Sequence, residues 1–392
     1  MKNITFFLLL SFTLALFSCS NSNDYVTTDS YPYVTAKFAG KIDLNALSNY
    51  ANQTKPNYIT KDNTSGNPIT DKSATLGRVL FYDKNLSSNN TISCSSCHIQ
   101  ANAFGDVAIA SDGINGKTTR HAMRLINSRF ANENKFFWDE RAATLEFQTT
   151  QPVQNHIEMG FSGTLGDASI AVLIAKLQSL SYYKELFKFT FGTEEITESK
   201  IQLALAQFIR SIQSFDSKYD AGRALVANDN QPFSNFTAQE NQGKNLFLTP
   251  PVFDLTGNRT SGGVGCAACH AAPEFDIDPN TRNNGIIGVL NESGIDISNT
   301  RAPSLRDLVK TDGTTNGPMM HTGNLVTLQN VIGHYGSINL APGNTNLDPR
   351  LRPNGFGQQL HLTATEVNSL IAFLRTISGT NVYTDAKWSS PF

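Results

Sequence analysis

Two thiols and an imidazole recur in this chain at one fixed spacing, first as Cys94-Ser95-Ser96-Cys97-His98 and again as Cys266-Ala267-Ala268-Cys269-His270. The spacing is that of covalent c-type haem attachment. Two cysteines one turn apart form thioethers with the haem vinyls, and the adjacent histidine becomes the proximal iron ligand. The lesser alternative for a lone copy is a dithiol redox pair or half a zinc site. Four of the five cysteines lie in the two motifs, however, and the fifth, Cys19, has a separate explanation. None is left over for zinc or a disulfide, so the chain is read as carrying two covalently bound haems c.

Residues 1–18 read as an export signal. Lys2 gives the positive start, and the run from Ile4 to Phe17 carries no charge but is short for a bilayer span. It ends in Leu16-Phe17-Ser18-Cys19, which resembles the lipobox of bacterial lipoproteins, where cleavage leaves the cysteine as the lipid-bearing residue. The alternative is an ordinary signal peptide with an incidental cysteine. Either places the mature protein in the cell envelope, on the periplasmic side or at the outer membrane, and c-type haem is attached outside the cytoplasm. Several acyl chains would anchor it firmly. No other stretch is apolar for long enough to cross a membrane, so contact with the membrane is expected through the lipid anchor only. Residues 19–73, rich in Ser, Asn, Thr, Asp and Pro, read as a tether and irregular leader. The formal net charge is −2, which gives no reason to expect nucleic acid as a partner.

The remainder is long enough for two domains, and its landmarks occur twice. Leu76-Gly77-Arg78-Val79-Leu80-Phe81 precedes the first motif, and Gln242-Gly243-Lys244-Asn245-Leu246-Phe247 precedes the second. Arg120–Leu125 answers to Arg301–Arg306, and Trp138–Glu146 to His321–Gln329. The expected fold is mainly α: two cytochrome c-like haem domains in tandem with long loops. They span 74–230 and 231–392, with the boundary in the polar stretch Asn228–Asn235. Helical periodicity covers Ser169–Phe191 and Ile196–Phe215, the latter with Ile201, Leu205, Phe208, Ile209 and Ile212 on one face. Thr237 with Glu240, and Thr363 with Glu366, match the reciprocal capping box. Thr256–Gly265 and Gly343–Gly357 read as long loops.

These residues carry a resemblance. LGRVLFYD, SCSSCH with Ala103-Phe104-Gly105-Asp106, FWDERA, Gln148, Pro152 and Glu158-Met159 look like the bacterial dihaem cytochrome c peroxidases. CAACH, Asn284-Gly285, Arg301–Arg306 and Pro318-Met319-Met320-His321 continue it, so that it covers roughly residues 74–377. The family includes the related dihaem enzyme that matures methylamine dehydrogenase.

The resemblance implies a peroxidase-type oxidoreductase that reduces hydrogen peroxide to water with electrons from a small redox protein, a cytochrome c or a copper protein. It implies that the His98 haem is the peroxidatic centre, with Glu158 moving the proton from the inner to the outer oxygen. Gln148 and Pro152 would shape the distal pocket, with Gln148 also readable as an ordinary helix-surface amide. Trp138 would relay electrons between the haems, the alternative being a core tryptophan. Many relatives cap the first iron with a histidine in the loop corresponding to Ser111–Gly116, which has none here. This implies an open iron that needs no reductive activation; His121 is the rival as a displaceable ligand. His121 also stands where the family has an asparagine that helps bind a calcium ion between the domains, so the family calls for calcium and this residue opposes it. The sixth ligand of the His270 haem would be Tyr335, which stands where the peroxidases have methionine and is similar to the maturation enzyme; Met319, Met320 and His334 are its rivals. A phenolate there would lower the reduction potential. His321 would serve as structural hydrogen bonding, and a homodimer follows from the family habit. Two other readings stand beside the peroxidase: an oxidase acting on a protein or organic substrate through a high-valent state, and a non-catalytic dihaem electron carrier.

Overall fold

The computed structural model describes residues 30–132 and 135–392; the export signal and Cys19 lie outside the described residues. The architecture is mainly helical. Its helices are α1 (Pro32–Phe38), α2 (Asp71–Tyr82), α3 (Cys94–Cys97), α4 (Leu145–Thr150), α5 (Ile170–Gln178), α6 (Ser181–Phe191), α7 (Glu198–Ser211), α8 (Lys218–Arg223), α9 (Ala238–Leu248), α10 (Leu328–Gly336) and α11 (Ala364–Thr376). Three two-stranded antiparallel hairpins complete it: β1 (Asp112–Gly113) with β2 (Gly116–Lys117), β3 (Pro251–Phe253) with β4 (Arg259–Gly262), and β5 (His270–Ala271) with β6 (Asp276–Ile277).

The chain builds one arrangement twice. In the first, α2 crosses α7 so closely that a Cβ on Gly77 would stand 2.0 Å from the Ala204 carbonyl oxygen. In the second, α9 crosses α11 and a Cβ on Gly243 would stand 1.9 Å from the Ser369 carbonyl oxygen. Only glycine permits either approach. Each crossing is followed by a haem motif and then by a buried phenylalanine in the left-handed region, Phe104 and Phe275. Phe81 of α2 packs edge-on against Phe104 at 5.9 Å, and Phe247 of α9 against Phe275 at 5.7 Å. Burying each such ring is worth about 2–3 kcal/mol.

Two hydrophobic clusters result. One runs from Val34 to Ile212, the other from Tyr219 to Ile377. The end of the chain then returns to the first: Trp388 is buried there, its carbonyl accepts from the Tyr82 hydroxyl at 2.7 Å, and Phe392 packs on Phe38. A fully buried ion pair ties the halves, with Arg306 Nη1 2.9 Å and Nη2 3.0 Å from the two carboxylate oxygens of Asp220. Two-point geometry of this kind offsets the cost of dehydrating both charges.

Local expectations meet the structure with instructive differences. Both capping boxes form, Thr237 with Glu240 and Thr363 with Glu366. The Ser169–Phe191 periodicity is two helices rather than one, because Leu180 is extended and Ser179 turns its hydroxyl back onto the Lys176 carbonyl. The Ile196–Phe215 helix begins after the Thr197 cap and stops at Ile212, which is extended yet still buried. Part of the presumed loop Thr256–Gly265 is strand β4, paired through backbone groups that polar residues supply as well as apolar ones. Within the leader, α1 packs its Val34 and Phe38 into the first cluster.

Candidate active site

The short α3 places Cys94 and Cys97 on one turn, and a ring of side chains from distant segments closes around them. The cavity is lined by Cys94, Cys97, His98, Gln148, Pro152 and Glu158 among others. His98 Nδ1 lies 3.0 Å from the Phe104 carbonyl oxygen. Ala103 and Phe104, at φ 55° and 56°, turn that carbonyl back toward the ring. The bond fixes the proton on Nδ1, and burial lowers the imidazole's pKa, so the ring is neutral with a lone pair on its other nitrogen.

Glu158 reaches the same cavity from the turn after α4. Its backbone N–H and that of Ile157 both donate to Asn155 Oδ1, at 3.1 and 2.9 Å. Burial pushes its pKa up, and Arg141 only partly opposes this. The β1–β2 hairpin clasps the segment from outside: Ile114 N donates to the Glu158 carbonyl and Asn115 N to that of Ile157, both at 3.1 Å. A Cβ on Gly113 would stand 2.1 Å from the Ile157 carbonyl oxygen, so this approach too requires glycine. The hairpin is the loop that carries no histidine, and its sequence had not suggested that it holds Glu158 in place.

The second motif gathers a different set. His270 is buried, its pKa lowered to about 4 by burial, and its Nδ1 has no hydrogen-bond partner. Asn284 Nδ2 lies 3.2 Å from Met320 Sδ and 3.4 Å from Tyr335 Oη, while the Asn284 carbonyl meets His334 Nε2 at 2.9 Å. Three of the rival sixth ligands therefore converge on one asparagine. The fourth, Met319, is buried in the second core. Burial pushes the pKa of the Tyr335 phenol up against the opposing bond from Asn284. A phenolate at this place requires a strong positive charge beside it, such as a bound iron. Asn284 was legible as part of a motif but not as an organiser, because its partners lie 36 and 51 residues away.

Trp138 bonds to backbone groups of distant segments. Its Nε1 donates to the His121 carbonyl at 2.7 Å, and its own carbonyl accepts from Thr300 N and Arg301 N at 2.9 and 3.1 Å. His121 N donates to the His321 carbonyl at 2.7 Å. The His121 ring faces the carbonyls of Ala108 and Ile109 and does not line the cavity at His98. His321 Nε2 lies 2.9 Å from the Gly288 carbonyl oxygen. No group of three or more His, Cys, Asp or Glu that could hold a metal ion occurs among the described residues.

The donor sets fit the implied cofactor. All four motif cysteines are free thiols, which burial pushes up to about 12, or about 11 for Cys97. They lie beside one imidazole of fixed tautomer and another with an unpartnered buried nitrogen. Two thioethers and one proximal ligand are available at each motif.

Residues 71–228 match the family described as di-haem cytochrome c peroxidase. The methylamine utilization protein MauG of Methylophilus methylotrophus is 29% identical over 324 residues, covering 80% of this chain and 84% of that one. The cytochrome c peroxidase Ccp of Escherichia coli is 29% identical over 379 residues, covering 92% and 72%. Among solved structures, a MauG-like protein associated with microbial copper homeostasis superimposes with a TM-score of 0.67 at 28% identity, covering 87% of this chain and 99% of that one. The dihaem peroxidase BthA of Burkholderia thailandensis shares the fold, with a TM-score of 0.62 at 19% identity over 88% and 93% of the two chains.

Proposed function

Because the chain belongs to the di-haem cytochrome c peroxidase family, an oxidoreductase family with two c-type haems, we propose that it reduces hydrogen peroxide to water in the cavity beside His98. The observation that carries this reading is the position of Glu158, whose carboxyl group lines the same cavity as the first haem motif.

Cys94, Cys97 and His98 would hold a c-type haem, which would supply the redox chemistry for cleaving peroxide. Glu158 accepts the proton of the inner oxygen on its carboxylate and returns it to the outer oxygen, so that water can leave. Burial raises its pKa, which makes the carboxylate a stronger base for the first half of that transfer. Gln148 orients peroxide by hydrogen bonding, and Pro152 walls the distal side without offering a competing donor. The hairpin at Asp112–Lys117 holds the glutamate segment by main-chain bonds and offers no histidine to cap the first site, which therefore needs no prior reduction. Trp138 would relay electrons to and from a second haem, which Cys266, Cys269 and His270 would hold, with Tyr335 available as a further ligand. A small redox protein is the donor, and the two haem units are 74–230 and 231–392. Cys19 anchors the mature protein by lipid in the cell envelope.

Steady-state turnover of peroxide with a reduced cytochrome c or copper protein tests this. Loss of turnover in Glu158→Gln, with both haems retained, supports the assignment; unchanged turnover overturns it. A second reading, oxidation of a protein or organic substrate, is favoured by one observation: Tyr335 shares Asn284 with Met320, and a phenolate ligand would favour the more oxidised iron.

A further inference from the structure

Behind the first haem motif, two adjacent tyrosines share one carboxylate oxygen. The Tyr182 and Tyr183 hydroxyls of α6 both donate to Asp83 Oδ2, at 2.8 and 2.9 Å. The other oxygen, Oδ1, is taken by the N–H and side-chain amide of Asn85 at 2.8 and 2.9 Å. All three of Tyr182, Tyr183 and Asp83 are buried, Tyr183 completely. The two phenol rings lie 4.6 Å apart, centre to centre. Tyr183 and Cys94 both belong to the packing of the first core, and Asp83 lines one groove with Ser95 of the haem motif. On the far side, Tyr182 meets Phe38 edge-on at 5.7 Å and lies 5.4 Å from the Lys37 ammonium. Asp83 itself borders a surface groove with Lys37, Tyr82 and Lys84.

A structural role needs only one of these hydroxyls. Two phenols converging on a single oxygen beside a haem motif serve another chemistry. A phenol loses an electron readily only when its proton leaves at the same time, and a hydrogen-bonded carboxylate is the acceptor that allows it in a dry core. We propose that Tyr183, Tyr182 and Asp83 form a hole store for the first haem site, filled when hydrogen peroxide has oxidised that site and no donor is at hand. This inference rests on the peroxidase reading above.

The step balances simply. Tyr183 gives one electron to the peroxide-oxidised site, which is reduced by one equivalent, and its phenolic proton passes to Asp83 Oδ2, leaving a neutral tyrosyl radical. Tyr182 can then pass an electron to Tyr183 across the 4.6 Å contact, while Asp83 Oδ2 returns its proton to Tyr183 and takes that of Tyr182, which moves the hole toward the groove. One electron from the donor protein and return of the proton from Asp83 restore the pair.

The test uses the haem-loaded protein mixed with hydrogen peroxide in the absence of donor, frozen within milliseconds and read by electron paramagnetic resonance beside the optical spectrum. A free-radical signal is expected whose hyperfine splitting narrows when the protein is grown with ring-deuterated tyrosine. Tyr183→Phe should abolish it, and Asp83→Asn should suppress it although both phenols remain. The isotope experiment alters no residue, so a signal that does not narrow overturns the proposal even where a variant does not fold. An optical response to peroxide without a tyrosyl signal, or with one unchanged in Tyr183→Phe, overturns this proposal alone. No optical response at all overturns the peroxidase reading and this one with it.

Discussion

The indole of Trp138 meets the imidazole of His321 edge-on, with ring centres 6.2 Å apart at 63°. The two residues occupy corresponding places in the halves: Trp138 stands to Leu145 and Pro152 as His321 stands to Leu328 and Tyr335. The bridges Phe136–Ala142 and Met319–Leu325 flank them alike. The same correspondence aligns Pro152, in the wall of the first cavity, with Tyr335 beside the second motif. One inherited position thus carries a side chain without a donor or metal ligand in one half and a candidate ligand in the other.

Trp138→Phe removes the donor to the buried His121 carbonyl, which should cost about 1–3 kcal/mol of stability. Both haems should remain, by optical spectrum, while stopped-flow electron transfer between them slows. An unaltered rate would remove Trp138 from the relay.

Glu158→Gln should lower peroxide turnover by about 10²–10⁴-fold. Because burial raises the pKa of Glu158 above the usual 4.5, kcat/KM of the wild type should fall as pH drops through that raised value, where the carboxylate that accepts the first proton is lost. The pH profile of the variant should lack this limb.

Gly243→Ala sets a methyl group against the Ser369 carbonyl, and the helix pair must separate. A loss of about 1–3 kcal/mol is expected, read as a lowered Tm. Gly66→Ala, with nothing within 4 Å of the new carbon, is the control that should leave Tm nearly unchanged.

Asp276 is pushed up to about 6, chiefly by burial. Lys61 bonds it at 2.7 Å but is shared with Glu274; although burial opposes it, the lysine's own pKa is raised by the two carboxylates. One cation between two buried carboxylates does not offset the dehydration of both. Since the folded pKa lies above the unfolded value of 3.8, this group's contribution to stability is fully present below pH 3.8 and is lost as pH rises through about 6. Thermal melts of the wild type between pH 4 and 7 should carry that slope, on the order of 2 kcal/mol, and those of Asp276→Asn should not. Equal slopes would show that the carboxyl is ionised throughout.

Tyr335→Phe should raise the reduction potential of the second haem, measured by spectroelectrochemistry, as a phenolate is lost. Met320 shares Asn284 with Tyr335, so Tyr335→Phe with Met320→Leu should differ further in spectrum from the single variant. A potential unmoved by Tyr335→Phe would exclude tyrosine ligation.

What the sequence determined by itself is what is settled within a few residues. Two copies of a Cys-Cys-His motif with no cysteine left for zinc or a disulfide specify haem attachment, and the Thr–Glu capping boxes at α9 and α11 form from contacts three residues apart. Helical periodicity named the buried face of α7 for the same reason. Only the tertiary structure decided which distant groups meet. The convergence of Met320, Tyr335 and His334 on Asn284, the clasp of the 112–117 hairpin on Glu158, and the sharing of Asp83 by Tyr182 and Tyr183 join residues from 36 to 100 positions apart. Such meetings depend on how closely α2 and α9 cross their partners at Gly77 and Gly243. Those distances are fixed by packing across the whole core, which no local pattern of residues encodes.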